Sequence, residues 1–182
     1  NNAFTDDNFY KCVVDAYNKE NKTSLPYTAN LSDEQLKTIT ALDCNGYGKS
    51  DENKIKSANG IEKLTRLYRL SILYGQLTSL DVSKNTALTE LDVNHNKLTE
   101  LDVSKNTALT YLNVSYNELT SIEVSKNIAL THLNVSYNEL TSIEVSNNTA
   151  LGWLEAYDNQ LTSLDVSRNT ALTRLDANVN QL

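Results

Sequence analysis

Apolar residues recur from residue 67 onward in an order that returns every 21 positions, with leucines at 67, 88, 109, 130, 151 and 172. One unit is seen in Leu88, Leu91, Val93, Leu98, Leu101, Val103 and Ala108, and the equivalent positions of the other units are apolar too. The two halves of a unit have similar form, as in Leu109-Thr110-Tyr111-Leu112-Asn113-Val114 and Leu119-Thr120-Ser121-Ile122-Glu123-Val124. Alternation of this kind predicts two strand-like segments per unit, separated by an asparagine corner, with all of the recurring apolar side chains pointing inward. Burying a large apolar side chain stabilises by about 1.5–3 kcal/mol, while ordering costs roughly 1.5 kcal/mol per residue. A 21-residue unit therefore cannot fold alone, and stacking on its neighbours must supply the rest.

The units run 67–87, 88–108, 109–129, 130–150 and 151–171, with 172–182 as an open sixth. Their pattern, L-x-x-L-x-(I/V/A)-x-x-(G/N)-x-L, is that of a leucine-rich repeat, and the period lies within the range of that class. The expected fold is an α/β repeat solenoid, a curved right-handed horseshoe whose first-half strands form a parallel concave sheet with strands about 4.8 Å apart. Two asparagine rows, Asn96, Asn117, Asn138, Asn159 and Asn180, and Asn85, Asn106, Asn127, Asn148 and Asn169, are expected to satisfy backbone groups at the corners.

Residues 1–41 read as a helical cap and 42–182 as the solenoid. Thr5-Asp6-Asp7-Asn8 predicts a capped helix start, after which Phe9, Cys12, Val13 and Ala16 keep helical spacing to about Lys19. Ser32-Asp33-Glu34-Gln35 has capping-box form and leads Leu36 and Ile39 into a second short helix or turn. Leu42-Asp43-Cys44-Asn45 reads as a degenerate first strand, followed by a polar loop from Gly46 to Lys54. Cys12 and Cys44 are the two cysteines: a candidate disulfide fastening cap to solenoid, or two small buried apolar residues.

Outward positions divide into two kinds. In the second half they hardly change: an acidic row, Asp81, Asp102, Glu123, Glu144 and Asp165, lies near a mostly basic one, Lys84, Lys105, Lys126, Asn147 and Arg168, which predicts a screened network of opposite charges. In the first half they vary over a constant core. One row reads Arg69, Glu90, Tyr111, His132, Trp153, Arg174, the next Ser71, Asp92, Asn113, Asn134, Glu155, Asp176, and the third Leu73, Asn94, Ser115, Ser136, Tyr157, Asn178. At the strand exit come Tyr74, His95, Tyr116, Tyr137, Asp158 and Val179. Exposed Trp, Tyr and Arg carry most of the binding energy at protein interfaces. The expected ligand-binding residues on the concave face are therefore Arg69, Glu90, Tyr111, His132, Trp153, Arg174, Asp92, Glu155, Asp176, Tyr116, Tyr137 and Tyr157. The competing reading is that neighbouring aromatics only pack across adjacent strands.

The net charge of −7 disfavours nucleic acid and anionic membranes as partners, since both recruit basic patches. No apolar run is long enough to insert into a membrane. His95 and His132 are not in a ligand-spaced motif, and neither a phosphate loop nor a nucleophile elbow occurs, so no catalytic residue, metal or cofactor is expected. Asn1-Asn2-Ala3-Phe4 resembles neither a translation start nor a signal peptide, and the chain reads as a piece of a longer exported precursor.

The stretch L-T-x-L-D-V-S-K-N-T-A-L-T-x-L-x-V-x-x-N-x, as in residues 77–97 and 98–118, resembles the repeat of the bacterial internalin family, in its 21-residue internalin J type. The likeness covers roughly residues 55–182, and the helical start resembles that family's cap. It implies a non-enzymatic recognition module, secreted or attached to the surface of a Gram-positive bacterium, that binds a host protein or a mucin-like glycan through its concave sheet. Where the internalin J type carries a recurring core cysteine, this sequence has Ile72, Val93, Val114, Val135, Ala156 and Ala177, or Val82 through Val166. The alternatives from other classes are a structural spacer displaying a distal domain and a carbohydrate-binding module that uses the aromatics as stacking platforms.

Overall fold

The computed structural model describes residues 3–182; the first two residues of the expected cap, Asn1 and Asn2, lie outside the described residues. Helix α1 (Asp7–Asn21) starts where Asp6 accepts the N–H groups of Asn8 and Phe9 on Oδ1. Its other oxygen accepts from the N–H groups of Lys56 and Ser57, so one carboxylate both caps the helix and ties it to the segment ahead of the repeats. The helix buries Phe9, Val13 and Val14 and ends at Lys22 in the left-handed region. Helix α2 (Asp33–Leu36) has the anticipated capping box, Ser32 with Gln35. Glu20 at the end of α1 then accepts from the N–H groups of Thr40 and Ala41 and so sets the start of the first strand.

The sheet has seven parallel strands in sequential order, β1 (Ala41–Asn45), β2 (Arg69–Leu73), β3 (Glu90–Asp92), β4 (Tyr111–Asn113), β5 (His132–Asn134), β6 (Trp153–Glu155) and β7 (Arg174–Asp176). Cys12 of α1 is bonded to Cys44 of β1, which covalently joins cap and sheet. Register is constant from β2 onward: Leu70, Leu91, Leu112, Leu133, Leu154 and Leu175 pair in sequence. Beneath them Leu88, Val93, Leu98, Val103 and their equivalents form one continuous core.

Three-residue strands would hold such a register poorly, and the first asparagine row supplies the rest. Asn117 donates Nδ2 to the carbonyls of Val93 in the preceding turn and Val114 in its own, and its Oδ1 accepts the N–H of Leu98 at 3.0 Å. Asn96, Asn138, Asn159 and Asn180 repeat the arrangement. The array starts at Gly75, the residue in line with this row, where a Cβ would collide with the Asn96 carboxamide oxygen. In the second row Asn106 donates to Val82 and Asn85 carbonyls, but its Oδ1, like those of Asn85, Asn127, Asn148 and Asn169, is buried with no partner among the described residues.

Three expectations from the sequence fail here. The second half of each repeat is not a strand: it is extended backbone that makes one bond per turn to its neighbour, as from Lys97 N–H to Leu77 C=O. The alanines do not point inward. Leu109 N–H bonds Asn106 C=O across a tight turn, which leaves Ala108 outside on its tip; Ala87 and Ala150 are exposed likewise. The acidic row does not pair with the basic one, and none of those carboxylates is in an ion pair among the described residues. Each instead accepts the N–H of the serine two residues on, as Asp102 does from Ser104 at 2.8 Å. Such local turns form at close range and need no second long side chain to be ordered.

Asn117→Ala should destabilise by about 2–4 kcal/mol, because it orphans backbone groups in the core, whereas Asn147→Ala on the surface should stay within about 0.5 kcal/mol; urea unfolding of both variants checks this. Closing a loop with a sequence separation of 32 residues stabilises by about 3–4 kcal/mol. Cys12→Ala, Cys44→Ala protein should therefore melt earlier, and added reductant should shift the parent but not the variant.

Candidate functional site

Because the strands are in register, the first outward row forms a continuous line, Arg69–Glu90–Tyr111–His132–Trp153–Arg174. Ring centroids are 6.1 Å apart for Tyr111 and His132 and 5.5 Å for His132 and Trp153, all tilted rather than stacked. Both ends of the line are ionic. Arg69 lies 3.6 Å from Glu90 and 3.7 Å from Asp43 of β1, while Arg174 lies 3.0 Å from Glu155 and 4.2 Å from the centre of the Trp153 ring. Between the rings Tyr111, His132, Leu133, Asn134, Trp153 and Glu155 enclose a recess of about 220 Å³.

The second row is partly structural. Asp92 accepts from the N–H of Asn94 at 3.2 Å, and Asn113, Asn134 and Asp176 accept in the same way from Ser115, Ser136 and Asn178. Turns of this kind come one residue before His95, Tyr116, Tyr137 and Val179, and these four, together with Tyr74 and Asp158, are left-handed with φ between 52° and 55°. That conformation costs a non-glycine residue roughly 1–2 kcal/mol. Stacking offsets part of it, since aromatic pairs contribute about 0.5–1.5 kcal/mol beyond burial. Tyr74, His95, Tyr116 and Tyr137 form a column with centroids 4.0–4.1 Å apart, and Tyr47 closes one end edge-on. Where Asp158 replaces the aromatic, Tyr157 swings over from the third row to meet Tyr137 at 5.1 Å.

The expected contact residues thus fall into two groups rather than one aromatic surface. Tyr111, His132 and Trp153 share a face with Arg69, Glu90, Arg174 and the half-buried Asp92, Glu155 and Asp176. Tyr116, Tyr137 and Tyr157 belong to the corner column, where their rings pack against one another across adjacent turns. Asp43, Asn134 and Tyr47 were not singled out in the sequence. Asp43 precedes the regular repeats and gives no periodic signal, and Asn134, whose Nδ2 donates to Glu155 at 2.7 Å, looked like one more polar variant in its row.

Burial pushes the Asp92 carboxyl above the ordinary range, against the pull of hydrogen bonds from Asn94 and Asn113, and Asp43 adds to the rise. Burial likewise raises the Tyr111 phenol, with Asp92 contributing, and lowers the His95 imidazole within its stack. Among the described residues no group of three or more His, Cys, Asp or Glu side chains could hold a metal ion, and no helix is long and apolar enough to cross a membrane. A carboxyl with a raised folded-state pKa holds its proton more tightly when folded, so its stabilising effect is complete at low pH and is lost as pH rises through the folded value. Asp92→Asn should therefore raise the urea midpoint at neutral pH and leave it nearly unchanged near pH 3, below the unfolded-chain value of about 3.9.

A family model described as leucine-rich repeat matches residues 84–99, 105–122 and 126–143. Internalin J of Listeria monocytogenes is 45% identical over 85 residues, which span 47% of this chain and 8% of that protein. The solved functional domain of internalin J from the same organism aligns over 99% of this chain and 47% of its own length, with a TM-score of 0.65 and 34% identity. That domain is described as including a cysteine ladder; here the two cysteines are bonded to each other and the corresponding rows are aliphatic. Internalin C2 of L. monocytogenes shares the fold at a TM-score of 0.67 and 20% identity, over 98% of this chain and 86% of that one. The chain spans less than half the length of the internalin J protein and of its solved domain.

Proposed function

We propose that this chain, an internalin-family leucine-rich-repeat protein by its repeats and its fold, is a non-enzymatic recognition module that binds a host protein through its concave face. The observation that carries the reading is the contrast between rows. Leu91, Leu112, Leu133 and Leu154 are invariant and buried, while the residues beside them change from Glu90 to Tyr111, His132 and Trp153 on the same face. A spacer has no use for a tryptophan and a histidine at half-exposed or exposed sites among repeats that are otherwise nearly identical.

A protein partner fits the chemistry better than a glycan. Sugar stacking wants a free aromatic face, and the Arg174 guanidinium lies over that of Trp153. Six carboxylates, Asp43, Glu90, Asp92, Glu155, Asp158 and Asp176, stand around two guanidinium groups on and beside the sheet, which suits a basic protein surface. A disulfide is at home in an oxidising setting, and this supports an extracellular location, secreted or on the bacterial surface.

The test is capture of the chain by immobilised host surface proteins, mucin and a glycan panel, beside a Tyr111→Ala, Trp153→Ala variant shown by circular dichroism to be folded. Binding to a protein with at least a tenfold loss in the variant is expected, as for interface hot spots, and raised salt should weaken it. Equal binding by parent and variant, or capture by glycans alone, would overturn the proposal.

A further inference from the structure

The recess between Tyr111, His132 and Trp153 is too small for a drug-sized ligand, whose pockets begin near roughly 300 Å³. Its size is that of one side chain. Its walls are three aromatic rings and its polar edge is Asn134 and Glu155, while the side chain of Leu133 is buried in the core beneath. The rings are tilted against one another by 36° and 38°, so they line a cup rather than a flat platform. Aromatic faces carry negative potential and attract cations, and the Trp153 ring already holds one, the Arg174 guanidinium. Glu155 is mostly withdrawn from solvent, with Arg174 on one oxygen and Asn134 on the other, while Asp176 on the next strand adds a second carboxylate beside it.

We infer that this recess is the anchor site for a lysine side chain of the partner, a reading that rests on the concave face being the recognition surface. A lysine matches both parts of the cup. Its four-carbon stem covers the apolar walls, and its ammonium brings three N–H donors to the Glu155 edge. A trimethylammonium group would cover the rings equally well but has no hydrogen to donate to the carboxylate. A neutral aliphatic side chain would cover the rings but gain nothing from the carboxylates of Glu155 and Asp176, which outnumber the single Arg174 guanidinium beside them.

Trp153 is the single tryptophan of the chain, so its fluorescence reports occupancy of the recess. The probe is Nα-acetyl-lysine methylamide, and its control is Nα-acetyl-norleucine methylamide, which has the same stem without the ammonium. A saturable response to the lysine amide and none to the norleucine amide is expected. Tyr111→Leu should weaken the response about threefold to fivefold, and Glu155→Gln about tenfold, both variants being folded by circular dichroism.

Four outcomes would overturn the inference: an equal response to the norleucine amide, a stronger one to choline, a response to a methyl hexoside alone, or none to any probe. The recognition reading is tested separately. If the Tyr111→Ala, Trp153→Ala variant loses the partner while the lysine amide is silent, the face stands and the lysine anchor falls. If the lysine amide binds but no host protein is captured in a Trp153-dependent way, the broader reading falls instead.

Discussion

The coupling of each turn to the one before it through a buried asparagine is the interaction on which the rest of the structure depends. A strand of three residues offers too few ladder bonds to fix its own register. The Asn117 carboxamide bonds as both donor and acceptor, and its three shortest buried bonds reach residues 24, 3 and 19 positions earlier. Those separations are compatible only with a 21-residue turn. Inserting or removing a residue would leave backbone groups unpaired in the core, each at a cost of about 1–3 kcal/mol. The second asparagine row works through its donor half, each Nδ2 holding two main-chain carbonyls of the turn before it, as Asn106 and Asn127 do.

Fixed register turns a periodic sequence into a presentation device. The core and the corners are determined by stacking, so the outward positions of the first strand are free to carry chemistry. The corner is not equally free. Its left-handed backbone is stabilised by Asx turns before it and by ring stacking across it, and this makes Tyr116 and Tyr137 parts of the scaffold that also meet solvent. The strand row, with tilted rings and ionic ends, lacks such a structural task and is the stronger candidate for recognition.

The cap helix, the capping box at Ser32, the first strand at Cys44 and every strand register were legible in the sequence, because each rests on local propensity or on a strict period. The strand row was legible for the same reason, since a constant register places equivalent positions side by side. What escaped depends on geometry that the period does not encode. Alternation in Leu119–Val124 looks like a strand, yet the backbone there lacks a ladder to its neighbours. Ala108 is apolar and periodic, but the turn between Asn106 and Leu109 throws it outward. Asp102 and Lys105 look like an ion pair, yet a serine amide nearer in sequence takes the carboxylate. The corner column could have been suspected from the aromatic residue that precedes Asn117 and Asn138, but its separation from the concave row appears only with the left-handed backbone.

The most direct test is native-state hydrogen exchange at the amides that bond the asparagine oxygens, Leu77, Leu98, Leu119, Leu140 and Leu161. If the asparagines hold the register, these amides exchange as slowly as those of Leu91, Leu112 and Leu133 in the strands, while Ser121 and Glu123 on the outer half exchange freely. Rapid exchange at the leucines beside protected strands would contradict the account, because the sheet would then be keeping its register without them.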